Sequence, residues 1–157
     1  MPPFYEKVAF TRGRIENGID LTDIAWNFKK FVPGLIVINL GTNDDSYCKD
    51  QKDRQAEYQE KYTEFLGTVR RNNPQAYLLC ILGMMGQRLC PFMEQAAACY
   101  RTKTGDERIS TLEMDEQKAE NGYSADWHPS VKTHNLAAKL LVSEIRRLIN
   151  LGMIPMA

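Results

Sequence analysis

One short segment combines a backbone-permissive residue with a neutral hydrogen-bond donor. Gly41-Thr42-Asn43-Asp44 follows directly on the apolar run 35–40. Gly41 lets the backbone approach a neighbour or substrate closely, and the amide of Asn43 donates hydrogen bonds without carrying charge. Such a donor stabilises the negative charge that develops on an oxygen during acyl transfer. The alternative is an Asx turn, in which Asn43 and Asp44 only satisfy their own backbone.

A second segment, Asp126-Trp127-His128-Pro129-Ser130, places an imidazole just before the last amphipathic stretch. An unperturbed imidazole has a pKa of about 6.5, which suits proton transfer at neutral pH, so His128 is a candidate general base. The alternative is a surface or helix-capping histidine. His134 follows six residues later and is expected to be structural. His128 and His134 lack acidic or thiol side chains nearby that could complete a set of metal ligands, so no metal site is expected.

Apolar runs alternate with amphipathic stretches along the chain, a pattern typical of βα units. The runs 35–40, 76–82 and 108–114 predict strands of a parallel sheet buried on both faces. Apolar spacing predicts helices over 51–72, 21–31 and 131–150, with Asp20 or Thr22 capping the second and Ser130 the third. In such sheets ligands bind beyond the carboxyl ends of the strands, where both polar segments begin.

Composition narrows the classes of partner. A chain of 157 residues forms one domain of ordinary size, and 20 basic side chains balance 20 acidic ones. We therefore expect no nucleic-acid partner, and without an apolar run of about eighteen residues no membrane span. The first residues carry no export signal, so the compartment stays open. The four cysteines show no CxxC spacing. Cys80 is expected to be a core thiol, and a Cys90–Cys99 disulfide is a minor alternative to free thiols.

The two polar segments, in this order and at these positions, resemble the SGNH (GDSL-type) hydrolases. Val37–Asp44 and Ala125–Ser130 are similar, more narrowly, to carbohydrate esterase family 2, which removes acetyl groups from plant polysaccharides. The resemblance covers nearly the whole chain. It implies a three-layer α/β/α, flavodoxin-like fold with a parallel sheet that lacks its N-terminal strand.

The resemblance also assigns roles. It makes Asn43 the oxyanion donor and His128 the base, with Gly41 and Trp127 at the substrate and Asp44 bracing the loop. Trp127 then lines a sugar cleft, although a buried aromatic anchor is an equal alternative.

The acidic partner of the histidine departs from the family pattern. The family usually places a triad Asp three residues before the His, and here that position is Ala125. His128 is then oriented either by Asp126 or by a backbone carbonyl, and a Ser-His dyad is an alternative to a triad.

The nucleophile is missing from the pattern. No Gly-Asp-Ser turn occurs, so residues 1–157 resemble the C-terminal portion of a single esterase domain, and we expect the serine on an absent N-terminal segment. The expected partners are an acetylated carbohydrate or another small ester, and either a complementary N-terminal segment or a second copy of the chain. No cofactor is expected.

Two functions remain open at this point. The first is a serine esterase that deacetylates carbohydrate, with little activity in the isolated chain. The second is a non-catalytic carbohydrate-binding or interaction domain that retains the fold. A flavodoxin-like nucleotide binder is disfavoured, because no Gly-rich phosphate turn follows an early strand.

Overall fold

The structure, a computed structural model, describes residues 3–11, 13 and 15–154. The chain divides into two compact units, Met1–Val32 and Pro33–Ala157, and the expectation of a single domain stays a prediction. The first unit holds an antiparallel pair of short strands, β1 (Ile15–Glu16) and β2 (Ile19–Asp20). Asn17 and Gly18 join them with φ values of +52° and +77°, as a type I′ hairpin turn requires.

The helix predicted over residues 21–31 is wrong. The Asp20 carboxylate accepts hydrogen bonds from the Thr22 amide at 2.9 Å and from the Thr22 hydroxyl at 2.8 Å, which forms a turn in place of a helix cap. The backbone then runs extended, and the Trp26 amide donates to the Glu6 carbonyl at 2.9 Å. Only a 3-10 turn, Phe28–Lys30, follows. Pairing with an extended segment overrides the apolar spacing.

The second unit contains the three strands predicted from the apolar runs. These are β3 (Leu35–Asn39), β4 (Tyr77–Leu82) and β5 (Ile109–Glu113), all parallel, in the order β3-β4-β5. All six residues of central β4 are buried, as expected of a strand covered on both faces.

Four helices surround this sheet: α1 (Thr42–Cys48), α2 (Lys52–Asn72), α3 (Cys90–Thr104) and α4 (Val131–Asn150). The predictions of α2 and α4 are confirmed, including the cap of α4, where the Ser130 hydroxyl accepts from the Thr133 amide at 3.2 Å. Helices α1 and α3 were not predicted. Within the part of the chain that the structure describes, no helix is long and apolar enough to span a membrane.

The helices form a layer on each face of the sheet. Tyr77, Leu79 and Ile81 of β4 pack in one cluster with Leu148 of α4, whereas Cys80, on the opposite face, contacts Tyr62 of α2. Because side chains alternate across a strand, α4 and α2 must lie on opposite faces. The predicted α/β class with a parallel sheet is confirmed.

The apolar spacing of α4 also predicts a buried Leu136, and this finer prediction is wrong. Leu136 of α4 is 44% exposed, because the buried cluster centres on Leu148, near the other end of the helix. All four cysteines are free, as the sequence favoured, and the alternative Cys90–Cys99 disulfide does not form. Cys80 is fully buried, as predicted, and the Cys90 thiol donates to the Leu82 carbonyl at 3.7 Å.

Candidate functional site

The chain turns sharply after β3, and Gly41 makes that turn possible. Gly41 has a φ of +141°, and a Cβ there would lie 2.8 Å from the Tyr58 hydroxyl and 2.9 Å from Leu82 Cδ1. No larger residue fits against the end of β4, which agrees with the close approach expected from the sequence. The Tyr58 hydroxyl also donates to the Leu40 carbonyl at 2.9 Å. Helix α1 therefore starts immediately beyond the strand.

Asn43 lies in the first turn of α1 with its side chain exposed. Among the described residues its amide makes no hydrogen bond, so the Asx turn considered from the sequence does not form. Asp44 is half-buried. It is Asp45, the next residue, that reaches the loop after β4, where its Oδ1 lies 3.7 Å from Arg88 Nε.

The loops after β4 and β5 are bonded to each other. Gly83 packs so closely on Met114 that a Cβ there would lie 2.6 Å from the Met114 Cβ. The Gln117 amide donates to the Met84 carbonyl at 2.8 Å, and the Gln117 side chain donates to the Trp127 carbonyl, also at 2.8 Å. These contacts connect the ends of both strands to the segment that carries His128.

The His128 segment is a closed loop of 3-10 and extended backbone. The Ser124 amide donates to the His128 carbonyl at 2.8 Å, and the His128 amide donates to the Ala125 carbonyl at 3.1 Å. Asp126 and Trp127 both adopt left-handed backbone, with φ values of +53° and +61°. Two consecutive non-glycine residues in that region are strained, which is common at functional sites.

The His128 side chain is oriented by the backbone. Its Nδ1 lies 3.0 Å from the Ala125 carbonyl oxygen, and because a carbonyl only accepts, Nδ1 must carry the proton. In the neutral ring Nε2 then carries the lone pair, on an exposed side chain. Of the two orienting groups expected from the sequence, the carbonyl of Ala125 makes this contact, and Asp126 does not.

The segment that carries His128 also carries an aromatic pair. Trp127 is 71% exposed and Tyr123 is 41% exposed, and their ring centroids lie 5.0 Å apart at an angle of 56°. The alternative of Trp127 as a buried anchor is therefore wrong. Sequence reasoning missed Tyr123; its position four residues before Trp127 was the available signal.

The remaining titratable groups near this edge do not add a metal site. His134 lies exposed on the first turn of α4. No group of three or more His, Cys, Asp or Glu in the described ranges has the arrangement to hold a metal ion. Burial, with a smaller contribution from the Asp44 carboxylate, raises the pKa of the Tyr58 phenol far above its usual range. The hydroxyl beneath Gly41 is thus a permanent donor.

These contacts bring the segments of Asn43 and His128 to the same edge of the sheet. Asn43 follows β3, whose end packs on Leu82, and His128 follows Trp127, which is bonded to Gln117 beyond β5. Because the three strands are parallel, both segments extend from their carboxyl ends. An amide donor and an imidazole with a free Nε2 are the groups that acyl transfer to a hydroxyl nucleophile needs.

Comparison with known proteins agrees with this geometry. Residues 11–141 match the GDSL-like lipase/acylhydrolase family. The cellulase/esterase CelE of Acetivibrio thermocellus is 36% identical over 127 residues, which cover 78% of this chain and 15% of that protein.

Solved structures show the same similarity. The acetyl xylan esterase Est2A from the rumen bacterium Butyrivibrio proteoclasticus superposes with a TM-score of 0.86 at 25% identity, over 99% of this chain and 46% of that one. A family two carbohydrate esterase from Clostridium thermocellum, solved in complex with cellohexaose, gives a TM-score of 0.71 at 34% identity, over 87% and 42%. The chain spans less than half the length of these relatives. They confirm the resemblance to carbohydrate esterase family 2, and the chain belongs to the GDSL-like lipase/acylhydrolase family.

Proposed function

We propose that this chain supplies the oxyanion donor, Asn43, and the general base, His128, of a serine esterase that deacetylates carbohydrate. One observation carries the proposal: Nδ1 of His128 lies on the Ala125 carbonyl at 3.0 Å, so the exposed Nε2 is the basic nitrogen. Membership of the acylhydrolase family supports the reaction class. The serine comes from a segment outside the 157 residues.

The reaction assigns one task to each group. The serine Oγ attacks the acetyl carbonyl while His128 Nε2 takes its proton, and the Asn43 amide donates to the oxygen that becomes negative. Nε2 then gives that proton to the departing sugar oxygen, which leaves an acetyl-serine. Water repeats the sequence with Nε2 as base and releases acetate and free serine.

We further propose a Ser-His dyad in place of a triad. The backbone oxygen of Ala125 holds Nδ1, at the position where the family pattern usually has a carboxylate. A carbonyl fixes the tautomer as an Asp does, but it contributes less negative charge to stabilise the imidazolium. Asp126→Asn should therefore leave turnover near the wild-type value, whereas His128→Ala should abolish it.

The test uses the chain in two forms. The chain alone should hydrolyse acetyl esters little and should take no serine-directed covalent label, as read by mass spectrometry. The second form joins it behind the part of CelE that precedes the similar region, to provide a serine. In that chimera Asn43→Ala should lower turnover by about 10²–10³-fold. An active chimera that is indifferent to both Asn43→Ala and His128→Ala refutes the proposal.

The aromatic pair favours a second candidate, carbohydrate binding without catalysis. The exposed ring of Trp127 offers a face on which a sugar ring can stack, with the Tyr123 ring tilted against it at 56°. The related Clostridium thermocellum esterase was solved with cellohexaose. The chain has two tryptophans, so Trp26→Phe leaves Trp127 as the single reporter. Quenching of its fluorescence by cellohexaose, together with an inactive chimera, would favour this candidate over the esterase.

A further inference from the structure

The peptide group just before His128 is hydrogen-bonded at both of its polar atoms. Its carbonyl, that of Trp127, accepts from Gln117 Nε2 at 2.8 Å, and its amide, that of His128, donates to Ala125 at 3.1 Å. The plane of this peptide sets the direction in which the His128 side chain leaves the backbone. Gln117 therefore holds one of the two polar atoms of the peptide group from which the imidazole extends.

Gln117 is itself fixed to the sheet. Its backbone amide donates to the Met84 carbonyl at 2.8 Å, two residues beyond the end of β4. Through its backbone and its side chain, Gln117 thus connects the loop beyond the central strand to the His128 segment. The hydrogen bonds of Ser124 and Ala125 with His128 lie within that segment. The hydrogen bond from Gln117 instead connects the segment to the strand ends, from which Asn43 also extends.

The hydrogen bond from Gln117 to the Trp127 carbonyl also supports strained backbone. Trp127 is left-handed, with a φ of +61°, and Asp126 before it has a φ of +53°. Non-glycine residues keep such conformations only where surrounding contacts hold them. The Gln117 amide holds the Trp127 carbonyl, and with it both the direction of the imidazole and the exposed position of the indole.

The oxygen of the Gln117 side-chain amide, Oε1, makes no such contribution. Only the NH₂ group can donate to a carbonyl, so Oε1 must point away from Trp127. Gln117 Oε1 is buried and has no hydrogen-bond partner among the described residues. A buried acceptor without a donor lowers stability, so an apolar side chain of similar length should fold at least as well.

We propose that Gln117 is the positioning residue of the His128 imidazole, acting through the Trp127 carbonyl. The inference rests on the proposed role of His128 as base. Its test needs no activity, so a failure here is distinguishable from a failure of the esterase proposal.

The experiment compares three variants of the full chain. Gln117→Met removes the donor and the unpaired acceptor, and Gln117→Lys restores a donor on a flexible stem. Gln87→Met is the matched control, because the Gln87 amide donates to the Met114 carbonyl in the neighbouring loop and not to the His128 segment. The readouts are the ¹⁵N shifts of the imidazoles, which report the tautomer, and the urea midpoint. The chain has two histidines, so His134 is an internal reference.

We expect wild-type His128 to be in the Nδ1-protonated form. Gln117→Met should lose that preference without lowering the urea midpoint, Gln117→Lys should recover it, and Gln87→Met should retain it. Three results overturn the proposal: wild-type shifts in Gln117→Met, equal changes in the Met and Lys variants, or an equal change in the Gln87 control. Loss of cooperative unfolding in Gln117→Met also overturns it, because the role would then be structural.

Discussion

Two tyrosines on consecutive turns of α2 offer a matched pair of substitutions with opposite expectations. Tyr58 and Tyr62 are 4% and 0% exposed, and their ring centroids lie 5.6 Å apart. The Tyr58 hydroxyl donates to the Leu40 carbonyl at 2.9 Å, just before Gly41. The Tyr62 hydroxyl has no oxygen or nitrogen partner among the described residues. Replacement by Phe removes one oxygen in each case.

The expected change in unfolding free energy depends on the hydrogen bond that each hydroxyl makes. Tyr58→Phe removes the hydrogen bond to the half-buried Leu40 carbonyl, which costs about 1 kcal/mol. For a chain of this size that corresponds to a melting temperature lower by about 2–4 °C. Tyr62→Phe removes a hydroxyl without such a bond, so the free energy of unfolding should stay within about 0.5 kcal/mol of wild type or rise.

Urea denaturation followed by circular dichroism measures both free energies, provided that the two variants keep the wild-type m-value. In the chimeric esterase, Tyr58→Phe should also lower turnover, because the hydroxyl supports the turn that presents Asn43, whereas Tyr62→Phe should not. Equal losses of stability in the two variants would refute the assignment of the Tyr58 hydroxyl as the support of this turn.

Three further predictions concern the rest of the second unit. Asp106→Ala should cost about 3–5 kcal/mol of unfolding free energy, because it leaves the mostly buried Arg70 guanidinium, 2.7 Å from that carboxylate, without its counter-charge; urea denaturation checks this. Gly41→Ala should lower the yield of folded protein, measured by gel filtration, since its Cβ would overlap Leu82 and the Tyr58 hydroxyl. Burial raises the pKa of Cys80 to about 12 and of Cys90 to about 11. The folded state keeps these thiols protonated, and the stability that this contributes is complete below the thiol pKa of the unfolded chain, about 8.5. That stability is lost as the pH rises toward 11, because the unfolded chain then releases its thiol protons more readily. The urea midpoint should fall over that range, and less so in Cys90→Ala.

The strands and α4 were predictable because their patterns are strong. Each strand is a short apolar run between turn residues, and α4 repeats apolar residues over 20 positions after a capping serine. Helix α1 carries mostly polar residues over 7 positions, so no periodicity marks it. The apolar residues over 21–31 have helical spacing, but no helix forms. The Asp20 side chain accepts the hydrogen bond of a turn there, and the backbone pairs with residues 6–8.

The site was predictable to the level of residue types and no further. The motifs around Asn43 and His128 indicated which side chains lie beyond strand ends. They offered Asp126 or a backbone carbonyl as the group that orients the imidazole, but could not single out the carbonyl of Ala125, because every residue type carries one. The role of Gln117 depends on contacts between distant loops, which no local pattern records.

The proposed site requires that position 43 and the His128 imidazole are neighbours in solution, and paramagnetic broadening measures this directly. A nitroxide on Asn43→Cys, in a Cys99→Ser background that leaves only buried thiols, broadens nearby proton signals. The matched control places the label on Gln75→Cys, which is exposed at the amino end of β4. At 3.3 Å per residue, the length of β4 separates this position by about 20 Å from the carboxyl end of the strand. With both segments at one edge of the sheet, the label at 43 should broaden the His128 ring signals far more than the label at 75. Equal broadening, or the reverse order, would contradict this placement.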